Sequence, residues 1–477
     1  MDLVGRFEEI EIMKELLVSG EPEMLAVVGR RRVGKTFLIR EVYKDTICFE
    51  MTGIKDATKE EQLYNFSVQL AEFSESKIEL AVPGNWIKAF NQLTRYLDTI
   101  KSKKKKVIFF DELPWLATHR SGFIEALAHF WNNLASKQKI VVVICGSAAL
   151  WMINKVVNNK GGLHNRITRL IQLEPFNLAE TELFFKKKKI KLTRYQIVQI
   201  YLTMGGIPHY LKEVKPGLSA AQNIDTICFR KNGLLRNEFQ NLYSSLFDNA
   251  QNHENIIRAL AKKGVGLTRN ELVQVLKISD GGSLTRYLNE LTTSGFVSKY
   301  LPFGKQKKET LYRLTDEYSL FYIRFIERGK NQSFAQLYNK QSWRSWSGFA
   351  FESVCMKHTE QIKNALGISG VLTTELSFIK RGEPDEKGFL IDMLIDRNDN
   401  SINICEMKFY ESEFEIDAAY AKKLRHKIAG FRKYSKTRKQ LFLTFISIFG
   451  VIKNEHSIGL VDNDITIDKL FRARKIG

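Results

Sequence analysis

Eight consecutive residues, Gly29, Arg30, Arg31, Arg32, Val33, Gly34, Lys35 and Thr36, follow the spacing G-x-x-x-x-G-K-S/T. In that order the glycines let backbone N–H groups wrap an anion, and a following helix turns its N-terminus toward it. The chemistry is that of a triphosphate: Lys35 would contact the β- and γ-phosphates, and the Thr36 hydroxyl would bind Mg2+. About 75 residues on, the apolar run Val107 to Phe110 ends in Asp111 and Glu112. Asp111 is suited to hold the Mg2+ water shell and Glu112 to polarise an attacking water. Alone, an apolar run ending in two acids is commonplace. Paired with the upstream loop, it points to an ATP-hydrolysing site with ATP and Mg2+ as cofactors.

Two further features bear on that site. The run Ile140 to Cys145 ends at Gly146-Ser147, where Ser147 could sense the γ-phosphate or simply close a strand. His164-Asn165-Arg166-Ile167-Thr168-Arg169 offers Arg166 and Arg169 to a phosphate in cis or in trans, with a solvated charge as the alternative for both.

A second constellation lies near the C-terminus. Phe389 to Ile395 and Ile402 to Lys408 flank the turn Arg397-Asn398-Asp399-Asn400, which predicts a hairpin. If the turn centres on Asp399, Asp392 falls opposite Glu406, at roughly the 5 Å of directly opposed residues. Two carboxylates so placed can share a divalent cation. Glu406 and Lys408 are two apart and share a face, beside Leu390, Leu394 and Ile404. The plainer reading is a solvent-facing salt bridge on an edge hairpin, although apolar residues on the same face weigh against it.

The elements that must carry these residues follow from pattern. In the first 175 residues, apolar runs of strand length (Met24 to Val28, Val107 to Phe110, Ile140 to Cys145) alternate with amphipathic stretches, as in a parallel α/β sheet. Residues 176–245 read as a helical lid, with Gly205-Gly206-Ile207-Pro208 as a tight turn that positions it. Residues 246–330 read as a winged helix-turn-helix. Thr268 caps a helix with Glu271 three residues on. Leu284, Tyr287, Leu288 and Leu291 form a packed stripe, and Thr285, Arg286 and Asn289 face outward as a recognition helix would present them. Phe296 to Leu301 and Thr310 to Leu314 pair around a basic tip of Gly304, Lys305, Lys307 and Lys308, suited to phosphate contact. Such a module can equally serve packing alone. Residues 340–477 are mixed α/β, and the stretch 330–338 between is either linker or exposed helix. Lys422 to Lys439 predicts a basic helical run beside the hairpin, either a backbone-binding face or an ordinary solvated one.

At 477 residues the chain is too long for one core, so several domains are expected. A net charge of +20 favours an acidic partner, foremost nucleic acid, with a lysine-rich soluble surface as the alternative. Five scattered cysteines, mostly among apolar neighbours, read as buried thiols of a reducing compartment. The N-terminus has no signal-peptide core, and the longest apolar stretch, 441–452, is too short for a bilayer. A cytoplasmic protein without membrane partner is expected.

GRRRVGKT, FFDELPWL, CGS and GGIPHYL, in that order, resemble the archaeal-type AAA+ ATPases related to the signal-transduction ATPases with numerous domains. The opening Val4-Gly5-Arg6 is similar to that family's N-terminal box near the adenine. The I-D…E-x-K pattern resembles the PD-(D/E)xK restriction-endonuclease-like nucleases, and Gly348-Phe349-Ala350-Phe351-Glu352 is similar to the helix that precedes their hairpin. The second resemblance implies Glu352 as an upstream acid, Asp392 and Glu406 as Mg2+ ligands, and Lys408 as the residue orienting a hydrolytic water. Together they imply a multidomain α/β protein in which an AAA+-like P-loop module drives a nuclease-like domain on nucleic acid, DNA ahead of RNA. The alternatives are an ATP-driven switch or scaffold that forms homo-oligomers with an inactive nuclease-like domain, and a winged-helix transcriptional regulator.

Overall fold

The computed structural model describes residues 3–472 apart from 77, 119, 134, 159–162, 164, 248, 328, 330–332, 381 and 383–387. The chain separates into two compact units, Met1–Pro175 and Phe176–Gly477.

The first unit is built on five parallel strands: β1 (Glu23–Val28), β2 (Ile47–Thr52), β3 (Lys106–Asp111), β4 (Ile140–Gly146) and β5 (Arg169–Gln172), in the order β2-β3-β4-β1-β5. The three predicted strands are its centre. Every residue of β4 is buried, because helices cover both faces of a parallel sheet, and this is why these strands read as unbroken apolar runs. The two strands absent from the sequence reading, β2 and β5, are the sheet edges. Their burial is partial (in β5 only Ile171 is buried), so they carry charges and lack an apolar run.

The longer helices of the unit are α1 (Phe7–Val18), α2 (Lys35–Tyr43), α3 (Lys59–Phe73), α4 (Trp86–Thr99) and α5 (Phe123–Asn133). Trp86, Ala89, Phe90, Leu93 and Leu97 give α4 a helical apolar stripe, which packs with α3, α5 and the sheet in one core. Side-chain oxygens of Thr58 and Asn85 cap α3 and α4.

In the second unit, α6 (Leu178–Lys187) and α7 (Arg194–Met204) begin the expected lid. The chain then turns at Gly205-Gly206. A Cβ on Gly206 would lie 1.8 Å from the Phe176 carbonyl oxygen, so only glycine fits this close approach. Beyond the short helices Pro208–Leu211, Ala220–Ile224 and Glu238–Ser244 come α8 (Ala250–Ala261), β6 (Leu267–Thr268), α9 (Arg269–Leu276), α10 (Gly282–Thr293), β7 (Val297–Tyr300) and β8 (Leu311–Leu314), with sheet order β6-β8-β7. The Thr268–Glu271 capping box is present. Leu284, Leu288 and Leu291 are buried, Tyr287 is half-buried, and Thr285, Arg286 and Asn289 are exposed. The hairpin does not project freely from its base. Phe303 N–H donates to the Ser377 carbonyl (2.7 Å) and its ring lies 5.3 Å from that of Phe431.

The last sheet runs β13-β12-β11-β10-β9 and is mixed. Strands β9 (Thr373–Lys380), β10 (Phe389–Arg397) and β11 (Ser401–Lys408) pair antiparallel, while β12 (Gln440–Ser447) and β13 (Asn463–Thr466) join parallel to β11. Helix α11 (Gln341–Lys357) packs on β11, and α12 (Ala418–Ser435) lies against β10. The basic run predicted to be helical to Lys439 stops at Ser435, where Lys436 turns left-handed at φ 54. Of the stretch 330–338, residues 330–332 lie outside the described residues and Phe334–Tyr338 is a short helix.

Long-range contacts join the segments expected at 176–245, 246–330 and 340–477 in this one unit. Leu178 N–H donates to His358 Nε2 (3.0 Å), and Gln199 Nε2 donates to the Tyr338 hydroxyl (2.9 Å). Among the described residues no helix is long and apolar enough to cross a membrane.

Candidate functional site

The phosphate loop leaves β1 at Gly29 and enters α2 at Lys35. Gly34 caps α2 at φ +94, a conformation that side-chain-bearing residues rarely adopt. Gly29 is required for a second reason: a Cβ there would lie 2.4 Å from the Leu173 carbonyl oxygen. Arg30 and Val33 are buried, Arg31 is exposed, and Arg32 is half-buried at φ 74. The buried Lys35 ammonium donates to the carbonyls of Gly29 (2.8 Å) and Arg30 (3.1 Å), inside the loop it would share with phosphate oxygens.

Sheet order brings the remaining groups to this loop. The C-terminal end of β3 delivers Asp111, whose Oδ2 accepts from Thr36 Oγ1 at 2.6 Å and whose Oδ1 accepts from Glu112 N–H at 3.0 Å. Hydroxyl and carboxylate thus meet where Mg2+ would bridge them to a nucleotide, and the residue types fit that cation. Because β4 lies between β1 and β3, Ser147 at its end falls beside Glu112. Its hydroxyl is 2.8 Å from each Glu112 oxygen, and its N–H donates to Oε2 at 3.1 Å. Glu112 itself is left-handed (φ 47, ψ 51), so the backbone turns sharply as the strand ends.

Arg166 and Arg169 are exposed at and before the start of β5, and among the described residues neither shares a hydrogen bond with Lys35, Asp111 or Glu112. His164 lies outside the described residues. Arg6, from the opening Val4-Gly5-Arg6, is buried and donates to the Glu174 carbonyl (2.5 Å).

The second constellation is central in its sheet, not on an edge as the plainer reading had it. The pairing of β10 with β11 runs from Asp396↔Ile402 to Met393↔Cys405, and one further step in that register would set Asp392 opposite Glu406. One expectation needs correction. A register shift between Ile391 and Leu394 turns Ile391, in place of Leu390, into the core with Leu394 and Ile404. Glu406 is buried, with Lys408 Nζ on Oε1 and Lys427 Nζ on Oε2, each at 2.8 Å, and the Tyr420 hydroxyl also on Oε1. Burial opposes its ionisation, but Lys408 and Lys427 outweigh that and hold its pKa down at about 2.

Glu352, on α11, accepts from Arg313 of β8 at 3.2 Å. Its pKa is pushed up to about 8, first by burial and then by the Asp392 carboxylate, against the pull of Arg313 and Lys408. Glu352, Asp392, Glu406 and Lys408 therefore share one neighbourhood. Among the described residues, however, no three His, Cys, Asp or Glu side chains are grouped to hold one metal ion. Three donors meet Glu406 and Arg313 meets Glu352.

Sequence reasoning missed Tyr420, Lys427 and Arg313 as partners of these acids. The spacing of Tyr420, Leu424 and Lys427 at i, i+4 and i+7 was the available signal, since Leu424 marks the buried side of α12.

Residues 3–214 match the family described as the ATPase domain predominantly from Archaea. The chain is 25% identical over 452 residues to an uncharacterized protein of Methanocaldococcus jannaschii, covering 91% of this chain and 94% of that protein. Among solved structures, the Walker-type ATPase PABY2304 of Pyrococcus abyssi aligns at a TM-score of 0.50 and 16% identity, over 68% of this chain and 97% of that one. That likeness shows the fold. Over residues 3–214 the chain is accordingly similar to ATPase domains of the archaeal type, and its phosphate loop lies at the C-terminal edge of a parallel α/β sheet.

Proposed function

We propose that this chain is an ATP-binding and ATP-hydrolysing regulator whose second unit engages nucleic acid, DNA ahead of RNA. The observation that carries the first half is the closure of Thr36 on Asp111 at 2.6 Å, beside a lysine held by its own loop. On nucleotide binding, the N–H groups from Gly29 to Thr36 wrap the phosphates, and Lys35 exchanges two carbonyls for phosphate oxygens. Thr36 and Asp111 would hold Mg2+, which would supply positive charge against the charge developing on the phosphates. Glu112 accepts the proton of the attacking water once Ser147 releases its carboxylate. Ser147 is thus the group that reads the γ-phosphate, and the exposed Arg166 is offered to a nucleotide in cis or from a neighbouring copy.

In the second unit, residues 246–330 act as a winged helix, with Thr285, Arg286 and Asn289 facing a groove. Residues 340–477 act as an endonuclease-like domain that binds. The double lysine clasp on Glu406 favours binding over cutting, since a carboxylate held at about 2 by two ammonium groups is already neutralised without a metal.

The test is plasmid retention and degradation with Mg2+ and ATP for the parent, Lys35→Ala, Glu406→Ala and Lys408→Ala. Retention that requires ATP in the parent and is lost in Lys35→Ala is expected, without strand cleavage. Cleavage abolished by Glu406→Ala or Lys408→Ala would establish cutting instead. Absence of nucleotide affinity by calorimetry would remove the whole reading.

A further inference from the structure

Between Ala418 and Lys439 stand nine lysine or arginine residues and no aspartate or glutamate. Helix α12 buries Ala421, Leu424, Gly430 and Phe431. Lys422, Lys423, Arg425, Arg432 and Lys433 are exposed, as are Lys436 and Arg438 just beyond it. Lys422, Arg425 and Lys433 fall on one face, which at 1.5 Å per residue runs roughly 17 Å. A helix made for solvent alone usually interleaves acids four residues from its bases. A row of one sign repels itself and is relieved when a polyanion lies along it.

The tertiary structure extends that row. Phe303, at the root of the β7–β8 tip, sits against Phe431 of α12, and Pro302 bridges to Ser377 of β9. The exposed tip residues Gly304, Lys305, Lys307 and Lys308 are thereby brought to the turn of α12 that carries Arg432 and Lys433. Neither 303–309 nor 418–438 contributes a large exposed hydrophobic side chain. A single-strand binder would need aromatic faces for its bases, and a membrane-seated helix would need apolar anchors. Cations without either suit the phosphates of a duplex.

We infer that α12 and the β7–β8 tip form one track for the phosphate backbone of duplex DNA. This inference deepens the reading that the second unit engages nucleic acid and rests on it. Lys427, on the same helix but turned inward to Glu406, joins the track to the carboxylate cluster.

The experiment measures fluorescence anisotropy of a short random-sequence duplex with the full chain, in Mg2+ and with or without ATP, across a salt series. Replacing Lys422, Arg425, Arg432 and Lys433 together by glutamine should lower the slope of log affinity against log salt by about 3 to 4, at ~0.9 per lost phosphate contact. Lys307→Gln with Lys308→Gln should lower it by about 2 more. All six side chains are exposed, and an unchanged melting curve verifies the fold. An unaltered slope in the fourfold variant overturns the track, and a slope insensitive to the hairpin pair overturns its joint character. Parent protein that ignores the duplex yet binds phosphatidylserine vesicles also overturns it. A slope that falls as expected in the variants, in a parent that binds equally with and without ATP, retains the track and removes only its coupling to the nucleotide.

Discussion

Ser147 Oγ stands 2.8 Å from both carboxylate oxygens of Glu112, and its backbone N–H adds a third bond to the same group. The residue best suited to activate water is thereby held by the end of the neighbouring strand. The net contribution of a hydrogen bond is about 0.5–1.5 kcal/mol. Ser147→Ala should therefore raise basal phosphate release severalfold, up to about tenfold, with nucleotide affinity nearly unchanged. A fall in turnover would show that the contact of the hydroxyl with the γ-phosphate outweighs its hold on Glu112.

Thr36 and Asp111 meet at 2.6 Å, and Lys35 is fully enclosed by the loop. Titration calorimetry should show Lys35→Ala losing ATP affinity by about a hundredfold, the loss of two charge-assisted bonds. Asp111→Asn should keep much of the affinity but lose its dependence on Mg2+. Equal Mg2+ dependence in parent and Asp111→Asn would place the cation elsewhere.

Glu406 has an ordinary pKa of 4.5 and is held near 2 in the fold. Its folded value is the lower one, so the stabilisation is complete above 4.5 and lost as pH falls toward 2. The difference corresponds to roughly 3 kcal/mol. Lys427→Met should lower stability by about 3 kcal/mol by breaking a buried pair, and should move the acid unfolding limb to higher pH. Adding Glu406→Gln should restore part of the loss. Denaturant unfolding from pH 2 to 7 measures both, and additive losses would deny the coupling.

His358 is buried, with Nδ1 near the Val354 carbonyl (2.7 Å) and Nε2 accepting from Leu178 N–H. Burial pushes its pKa down from 6.5 to about 4. The unfolded chain binds this proton first, so stability is lost as pH falls from 6.5 toward 4, by roughly 3 kcal/mol. In His358→Gln that component should vanish from the pH profile of melting. An identical profile in parent and variant would exclude the assignment.

Much of the nucleotide site was legible because its parts are local. A loop of eight residues sets its own backbone, and a fully buried parallel strand announces itself as an apolar run that ends where its acids begin. The hairpin carrying Asp392, Glu406 and Lys408 was legible for a similar reason, since a short turn sets the register of the strands around it. The edge strands β2 and β5 escaped, because partial burial leaves no run to see, and the bulge after Ile391 exchanged it for Leu390.

By itself, then, the sequence determined which residues could bind phosphate, and which acids and lysine share a hairpin face, through short-range periodicity and turn chemistry. Only the tertiary structure decided what those groups touch. Placing β4 between β1 and β3 set Ser147 on Glu112, packing α12 on β10 brought Lys427 and Tyr420 to Glu406, and docking the β7–β8 hairpin on β9 brought Arg313 to Glu352. These are contacts between segments far apart in the chain. They depend on strand order and helix packing, which no local spacing specifies.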